Sequence, residues 1–263
     1  MKKLSFLIPV LLSALLFSCK SNESTEKENT AQNDNTAGMY LYNKQDTLAA
    51  IDFALDTSNC VQYSLDYSKE NNERYFATLF CDTKGNVLRM EELIISPEQL
   101  YQKNKFYYDN KRIFATVCEY QEKEDTSLIF IEELNFYNAK GEVEKSFRKI
   151  TRDNAKEEAN FIPSEKNKEL SNERIFRAVN NEGEFELTFQ GIIKTKSLDY
   201  LLIGSPEKDG YTTALQIEAN TLFIKDIYVN ERKYINRKIG VNFERQSMNN
   251  FSYQVFVAGK WLD

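Results

Sequence analysis

FCDTKGNVLRMEE, residues 80–92, is the stretch on which the fold turns. An aromatic-cysteine pair enters a polar, lysine-bearing turn with glycine and asparagine, and a strand-forming run leaves it. The same grammar recurs in YYDNKRIFATVCE (107–119) and FYNAKGEVEKSFR (136–148), and aligning Cys81, Tyr108 and Tyr137 gives steps of 27 and 29 residues. Repetition at such a period marks a stacked supersecondary unit, and the turn residues make that unit a β-hairpin. An ordinary antiparallel meander makes nearly the same structural prediction. Aromatic residues at 13%, with 15 Tyr and 18 Phe, favour strands more widely.

Upstream of the first repeat, VQYSLDY (61–67) and RYFATLF (74–80) flank the polar turn SKENNE (68–73). A hairpin centred between Glu70 and Asn71 opposes residues whose numbers sum to 141, as those of Cys60 and Cys81 do. Opposed Cα atoms lie about 4.5–5.5 Å apart, within disulfide range, so a Cys60–Cys81 pair is expected. A one-residue slip would turn a side chain to the other face. Cys118 is then a buried thiol. Earlier still, Leu48, Ile51 and Leu55 are spaced for one face of a short helix, with Asp46 as its N-cap.

Downstream, residues 152–173 are polar, hold Pro163 and read as a linker. In EFELTFQGI, Phe185, Leu187 and Phe189 alternate with polar residues, the pattern of a half-buried strand. Further strands are expected near 198–204, 211–219, 221–229, 235–245 and 251–258, with turns at Asn180–Gly183, Lys208–Gly210 and Asn249–Asn250. The expected fold is therefore mainly β: an antiparallel hairpin meander over 39–151, then a small β-sandwich or barrel over 174–263, with a short N-terminal helix.

The N-terminus carries an address. Lys2 and Lys3 precede an apolar run of 14 residues, Leu4–Phe17, which stops at Ser18 and Cys19. Spanning a bilayer takes about 20 residues, so the run reads as a secretory signal over residues 1–18. Leu16-Phe17-Ser18-Cys19 resembles the lipobox of bacterial lipoproteins. The resemblance implies cleavage before Cys19, a diacylglycerol on its sulfur and an acyl chain such as palmitate on its nitrogen. Lys20, standing where an aspartate would favour inner-membrane retention, implies the outer membrane. The tail after Cys19 partly resembles the surface-export tether of Bacteroidetes lipoproteins, and residues 19–38 read as a disordered tether. Asp46-Thr47-Leu48 also resembles the Bacteroidetes O-glycosylation triplet, though the helix cap is the preferred reading. The three repeats are similar to the YD- and MORN-like hairpins of bacterial envelope proteins and small Bacteroidetes lipoproteins.

Composition closes off several functions. The chain contains no histidine, which removes the commonest general base and zinc ligand together. Without residues 1–18 it carries 32 basic against 40 acidic side chains, a net charge of −8, so no nucleic-acid partner is expected. No calcium loop, Gly-rich phosphate loop or CxxC occurs. Accordingly no cofactor, metal site or catalytic residue is expected. The doublets Glu91-Glu92, Glu132-Glu133 and Glu157-Glu158 place neighbours on opposite faces of a strand and read as solvated surface. Against the overall charge, Arg232, Lys233, Arg237 and Lys238 gather around Tyr234, with Tyr228 and Arg245 near. Such a basic, aromatic-bearing hairpin would grip an anionic sugar, a lipid head group or an acidic protein patch. The expected function is an outer-membrane-anchored lipoprotein, not an enzyme, held to the membrane by its lipid, with a binding or structural role toward an envelope protein or glycan. The alternatives are a periplasmic inhibitor or immunity-like factor and a carboxylate-dependent polysaccharide hydrolase.

Overall fold

The computed structural model describes residues 31–56, 60–97, 100–124, 127–152, 159–165, 167–248 and 251–262. The signal segment, Cys19, Glu157-Glu158 and the Asn249–Asn250 turn lie outside the described residues. In chain order the elements are α1 (Ala31–Asp56), β1 (Val61–Tyr63), β2 (Tyr67–Ser68), β3 (Arg74–Cys81), β4 (Val87–Ile95), β5 (Gln102–Asp109), β6 (Arg112–Glu124), β7 (Ser127–Tyr137) and β8 (Val143–Arg152). There follow β9 (Ile162–Pro163), α2 (Glu173–Asn180), β10 (Thr188–Lys194), β11 (Asp199–Gly204), β12 (Thr212–Ile217), α3 (Leu222–Tyr234), β13 (Ile239–Met248) and β14 (Phe251–Trp261). The chain divides into two compact units, residues 1–43 and 44–263. The described part of the first is the N-terminal part of α1. Among the described residues, no helix is long and apolar enough to cross a membrane.

In the second unit the three repeats are three consecutive antiparallel hairpins, β3–β4, β5–β6 and β7–β8. Each ladder shifts register at the same place, between Phe80 and Cys81, Tyr107 and Tyr108, and Phe136 and Tyr137. A bulge beside each turn adds local twist, and it falls on the residues that the alignment matches. The turns follow from their side chains. Asp82 accepts from the backbone N–H of Lys84 and Asn86, both at 2.8 Å, and Asn138 accepts from Lys140 at 2.8 Å and Glu142 at 3.1 Å. Gly85 and Gly141 follow at φ 83° and 82°, a region only glycine enters without strain. The middle turn uses Asn110 and Lys111 at φ 47° and 67°.

Neighbouring hairpins pair in turn, giving one 14-stranded sheet ordered β10-β11-β12-β2-β3-β4-β5-β6-β7-β8-β9. β1 lies beside β3, and β14 joins β12 in parallel at Gln216–Val255 while pairing with β13. The stretches read as separate modules, 39–151 and 174–263, meet at the Thr212–Ser68 rung. They also feed one core. Leu65, Tyr75, Met90 and Phe106 from the hairpins pack in a single cluster with Ile175, Phe189, Ile203, Ile224 and Phe256. Phe185 sits among Tyr67, Tyr75 and Tyr211, with ring centroids 4.7, 4.9 and 4.9 Å away.

Five expectations need correction in detail. The stretch expected as a strand over 221–229 is the helix α3. Thr221 caps it, accepting from the Ile224 N–H at 3.2 Å, and Ile224, Ile227 and Tyr234 are buried at helical spacing. Phe185, Leu187 and Phe189 are buried as their alternation implies, but residues 183–185 form a single 3-10 turn and the ladder begins at Thr188. Asp46 is an interior residue of α1, not its cap, and residues 31–38 of the expected tether are already helical; a polar composition does not forbid a helical backbone. The face named for that helix does form, with Leu48 and Leu55 buried and Ile51 half-buried. Finally, the described part of the expected linker is stitched to the sheet. Asn167 Nδ2 donates to the Leu134 and Phe147 carbonyls at 3.0 and 3.1 Å, and the Lys168 N–H donates to Glu133 at 2.8 Å.

Candidate functional site

The basic cluster does not form a hairpin. Arg232 and Lys233 close the last turn of α3, where cations favour the negative end of the helix dipole. Tyr234 is buried, its ring stacked on Trp261 at 4.4 Å, and its hydroxyl donates to Asp226 at 2.6 Å. The Arg237 guanidinium covers the same two rings, 5.2 Å from Trp261 and 5.8 Å from Tyr234. Lys238 turns elsewhere and pairs with Glu186. It lines a cleft of about 510 Å³ with Asn180, Asn181, Asn242 and Lys260. The structure thus brings Tyr234, Lys233 and Arg237 together around an aromatic stack and separates Lys238 from them.

The carboxylate doublets prove more informative. Each of the two described doublets straddles the sheet: Glu92 and Glu133 point inward and are buried, while Glu91 and Glu132 point to the other face. The expectation of a solvated surface therefore fails for one member of each. Register aligns Ala77, Glu92, Asn104, Cys118, Glu133 and Arg148 in one cross-strand row. Glu92 accepts from the Tyr75 hydroxyl at 2.8 Å and from Asn104 at 2.7 Å. Glu133 accepts from the Tyr120 hydroxyl at 2.9 Å and from the Lys168 N–H at 2.8 Å. Buried carboxylates need such partners. The two lie three strand spacings apart, about 14 Å, too far to work as a hydrolytic pair. Between them, burial pushes the Cys118 thiol up to about 12, which leaves almost no nucleophilic thiolate at neutral pH.

The outward face has a different character. Asp52 of α1 pairs there with Arg89 and accepts from the Tyr107 hydroxyl at 3.2 Å. Farther along the same face lies a groove of about 450 Å³ lined by Tyr101, Glu119, Gln121, Phe130, Glu132 and Lys149. Two cross-strand rows build it: Tyr101, Gln121, Phe130 and Thr151, and beside them Lys103, Glu119, Glu132 and Lys149. The carboxylates that line it are balanced, Glu119 by Lys105 at 2.7 Å and Glu132 by Lys149 at 2.5 Å, and beside the groove Lys103 pairs with Glu91 at 3.2 Å. Burial pulls the Lys105 ammonium down, but the Glu119 hydrogen bond and the charges of Glu119, Glu91 and Asp52 outweigh it and hold Lys105 above its ordinary range. The Lys149 ammonium also sits 4.7 Å from the Phe161 ring. What remains for a ligand is the 39%-exposed ring of Phe130, the half-buried Tyr101, an amide and a hydroxyl. The sequence signals alternation in SLIFIEELNFY, but nothing in it tells which face α1 leaves open. Among the described residues no cluster of metal-ligating side chains is found. Set against known proteins, the chain matches no family model, no curated protein and no solved structure.

Proposed function

We propose that this chain is an outer-membrane lipoprotein, anchored through lipidated Cys19, that binds a neutral glycan of the cell envelope in the open sheet-face groove without transforming it. The observation that carries the reading is the combination of balanced charge and exposed aromatic surface. Pairs such as Lys105–Glu119 and Lys149–Glu132 cancel the field that would select an ionic partner. Phe130, Tyr101, Gln121 and Thr151 supply a stacking face and polar groups of the kind that fix a polyhydroxylated ligand. The test has two arms. Metabolic labelling with palmitate should mark the protein, and Cys19→Ser should abolish the label and release the chain from the membrane fraction. Titration calorimetry with maltohexaose, cellohexaose and laminarihexaose should detect binding that weakens about tenfold in Phe130→Ala, or ~1.4 kcal/mol, at unchanged melting temperature. Binding of none of these, or tighter binding of hexagalacturonate that Phe130→Ala leaves unaffected, refutes the groove.

A second reading has one observation in its favour. Glu119 and Glu132 stand directly opposite one another inside the groove, and two close carboxyl groups are the apparatus of glycoside hydrolysis. Release of new reducing ends from the same oligosaccharides, abolished in Glu119→Gln and Glu132→Gln, would make the protein a hydrolase. Unchanged oligosaccharides leave the binding role.

A further inference from the structure

We infer that Cys60 and Cys81 are joined by a disulfide in the native protein, stapling the chain just before β1 to the end of β3. Three independent features meet here. First, β1 opposes β3 as Val61–Phe80, Gln62–Leu79 and Tyr63–Thr78, so the next rung outward is Cys60 opposite Cys81. The Cys81 N–H donates to the Cys60 carbonyl at 2.9 Å, which continues the ladder to that rung. Opposed residues of such a rung lie about 5.5 Å apart between Cα atoms, at the centre of the disulfide range. Second, both side chains are on the same side of the sheet. Cys81 belongs to the main core cluster and Cys60 packs against it. Third, the structure holds Cys60 and Cys81 as thiols whose side chains interact, the Cys60 thiol helping to raise that of Cys81.

The remaining described cysteine is no competitor. Cys118 is 2% exposed on β6, in the row between Asn104 and Glu133. The chemistry needs an acceptor. Two S–H bonds and the S–S bond of an envelope thiol–disulfide oxidoreductase break, one S–S bond forms between Cys60 and Cys81, and the two electrons and two protons end on the oxidoreductase as its dithiol. Burial, then the Cys60 hydrogen bond, pushes the Cys81 thiol up to about 11, so little thiolate is present for uncatalysed exchange. That dependence suits a bond made during export. The crosslink secures a short strand of the sheet, for β1 is three residues long and its ladder has three rungs.

The inference rests on the envelope location, since a reducing compartment would keep both thiols. The full protein should be extracted from its host's envelope under iodoacetamide, digested without reduction and analysed by mass spectrometry. A peptide pair linked through Cys60 and Cys81, with Cys118 alkylated only after unfolding, is the expected result. Separate alkylation of Cys60 and Cys81, or any link to Cys118, overturns it. The same protein, reduced and then equilibrated with oxidised and reduced glutathione, separates the causes of failure. A pair that forms in glutathione but is missing in cells indicts the compartment, whereas one that forms in neither refutes the geometry. When linked, Cys60→Ser with Cys81→Ser should melt about 5–15 °C below the native protein, and added reductant should abolish the difference.

Discussion

Residues 60–152 and 170–262 belong to one sheet and one core, yet they are specified in different ways. In the first region each turn carries its own instructions. Asp82 and Asn138 bind the backbone of their own loops, and a Cβ added to Gly85 or Gly141 would meet nothing within 4 Å. Glycine is needed there for its dihedral angles alone. In the second region the decisive contacts come from afar. Phe185 leaves a 3-10 turn to pack at a tilt against Tyr67 and Tyr75, more than a hundred residues earlier. Local coding makes a region legible and repetitive, whereas long-range coding makes it irregular and dependent on its neighbour.

That contrast can be broken at three places. The largest effect is expected from Phe185→Ala, which empties a fully buried site where the two regions meet. It should cost about 3–5 kcal/mol and lower the urea midpoint of both regions in one transition; loss confined to 170–262, read by hydrogen exchange, would show that the regions are energetically separate. Thr221→Ala removes the hydroxyl that receives the Ile224 N–H and should cost about 1 kcal/mol. Its loss of exchange protection should centre on α3, and an unchanged helix would mean that burial of Ile224 and Ile227 alone holds it. The smallest effect depends on pH. Burial alone would raise the Glu73 carboxyl, but the Tyr211 hydroxyl and the charges of Lys69 and Arg174 outweigh it and hold Glu73 below its ordinary 4.5. A carboxyl depressed on folding stabilises above its unfolded pKa, and that stability is lost as pH falls through the folded value. Glu73→Gln should therefore be less stable than the native protein at pH 7, with the deficit vanishing as pH drops below 4.5. A deficit that persists in acid would assign the effect to shape, not charge.

Legibility follows the same division. The hairpins, their turns and the Cys60–Cys81 register were readable because period-2 burial and turn chemistry act over a few residues. The sequence hides the helix α3, because Phe223, Ile224, Ile227, Tyr228 and Val229 have strong strand propensities, which tertiary packing overrides. Its signal was present in Thr221 and in the spacing of Ile224, Ile227 and Tyr234. Arg232, Lys233, Arg237 and Lys238 looked like one patch along the chain, but a helix followed by a turn sends them in different directions. The Glu91-Glu92 and Glu132-Glu133 doublets were correctly split between two faces. Which face would be wet depended on segments elsewhere, among them Asn167–Lys168 above Glu133.

The amino-acid order by itself determined what is local: a β-rich chain, three equivalent hairpins, the absence of histidine chemistry and the rung on which Cys60 meets Cys81. Only the tertiary structure decided that both halves share a core, that residues 222–234 are helical, and that Tyr101 and Phe130 border an open groove. The reason is physical. Turns and alternation are settled between residues a few bonds apart, while burial is settled by whichever distant segment arrives to cover a face.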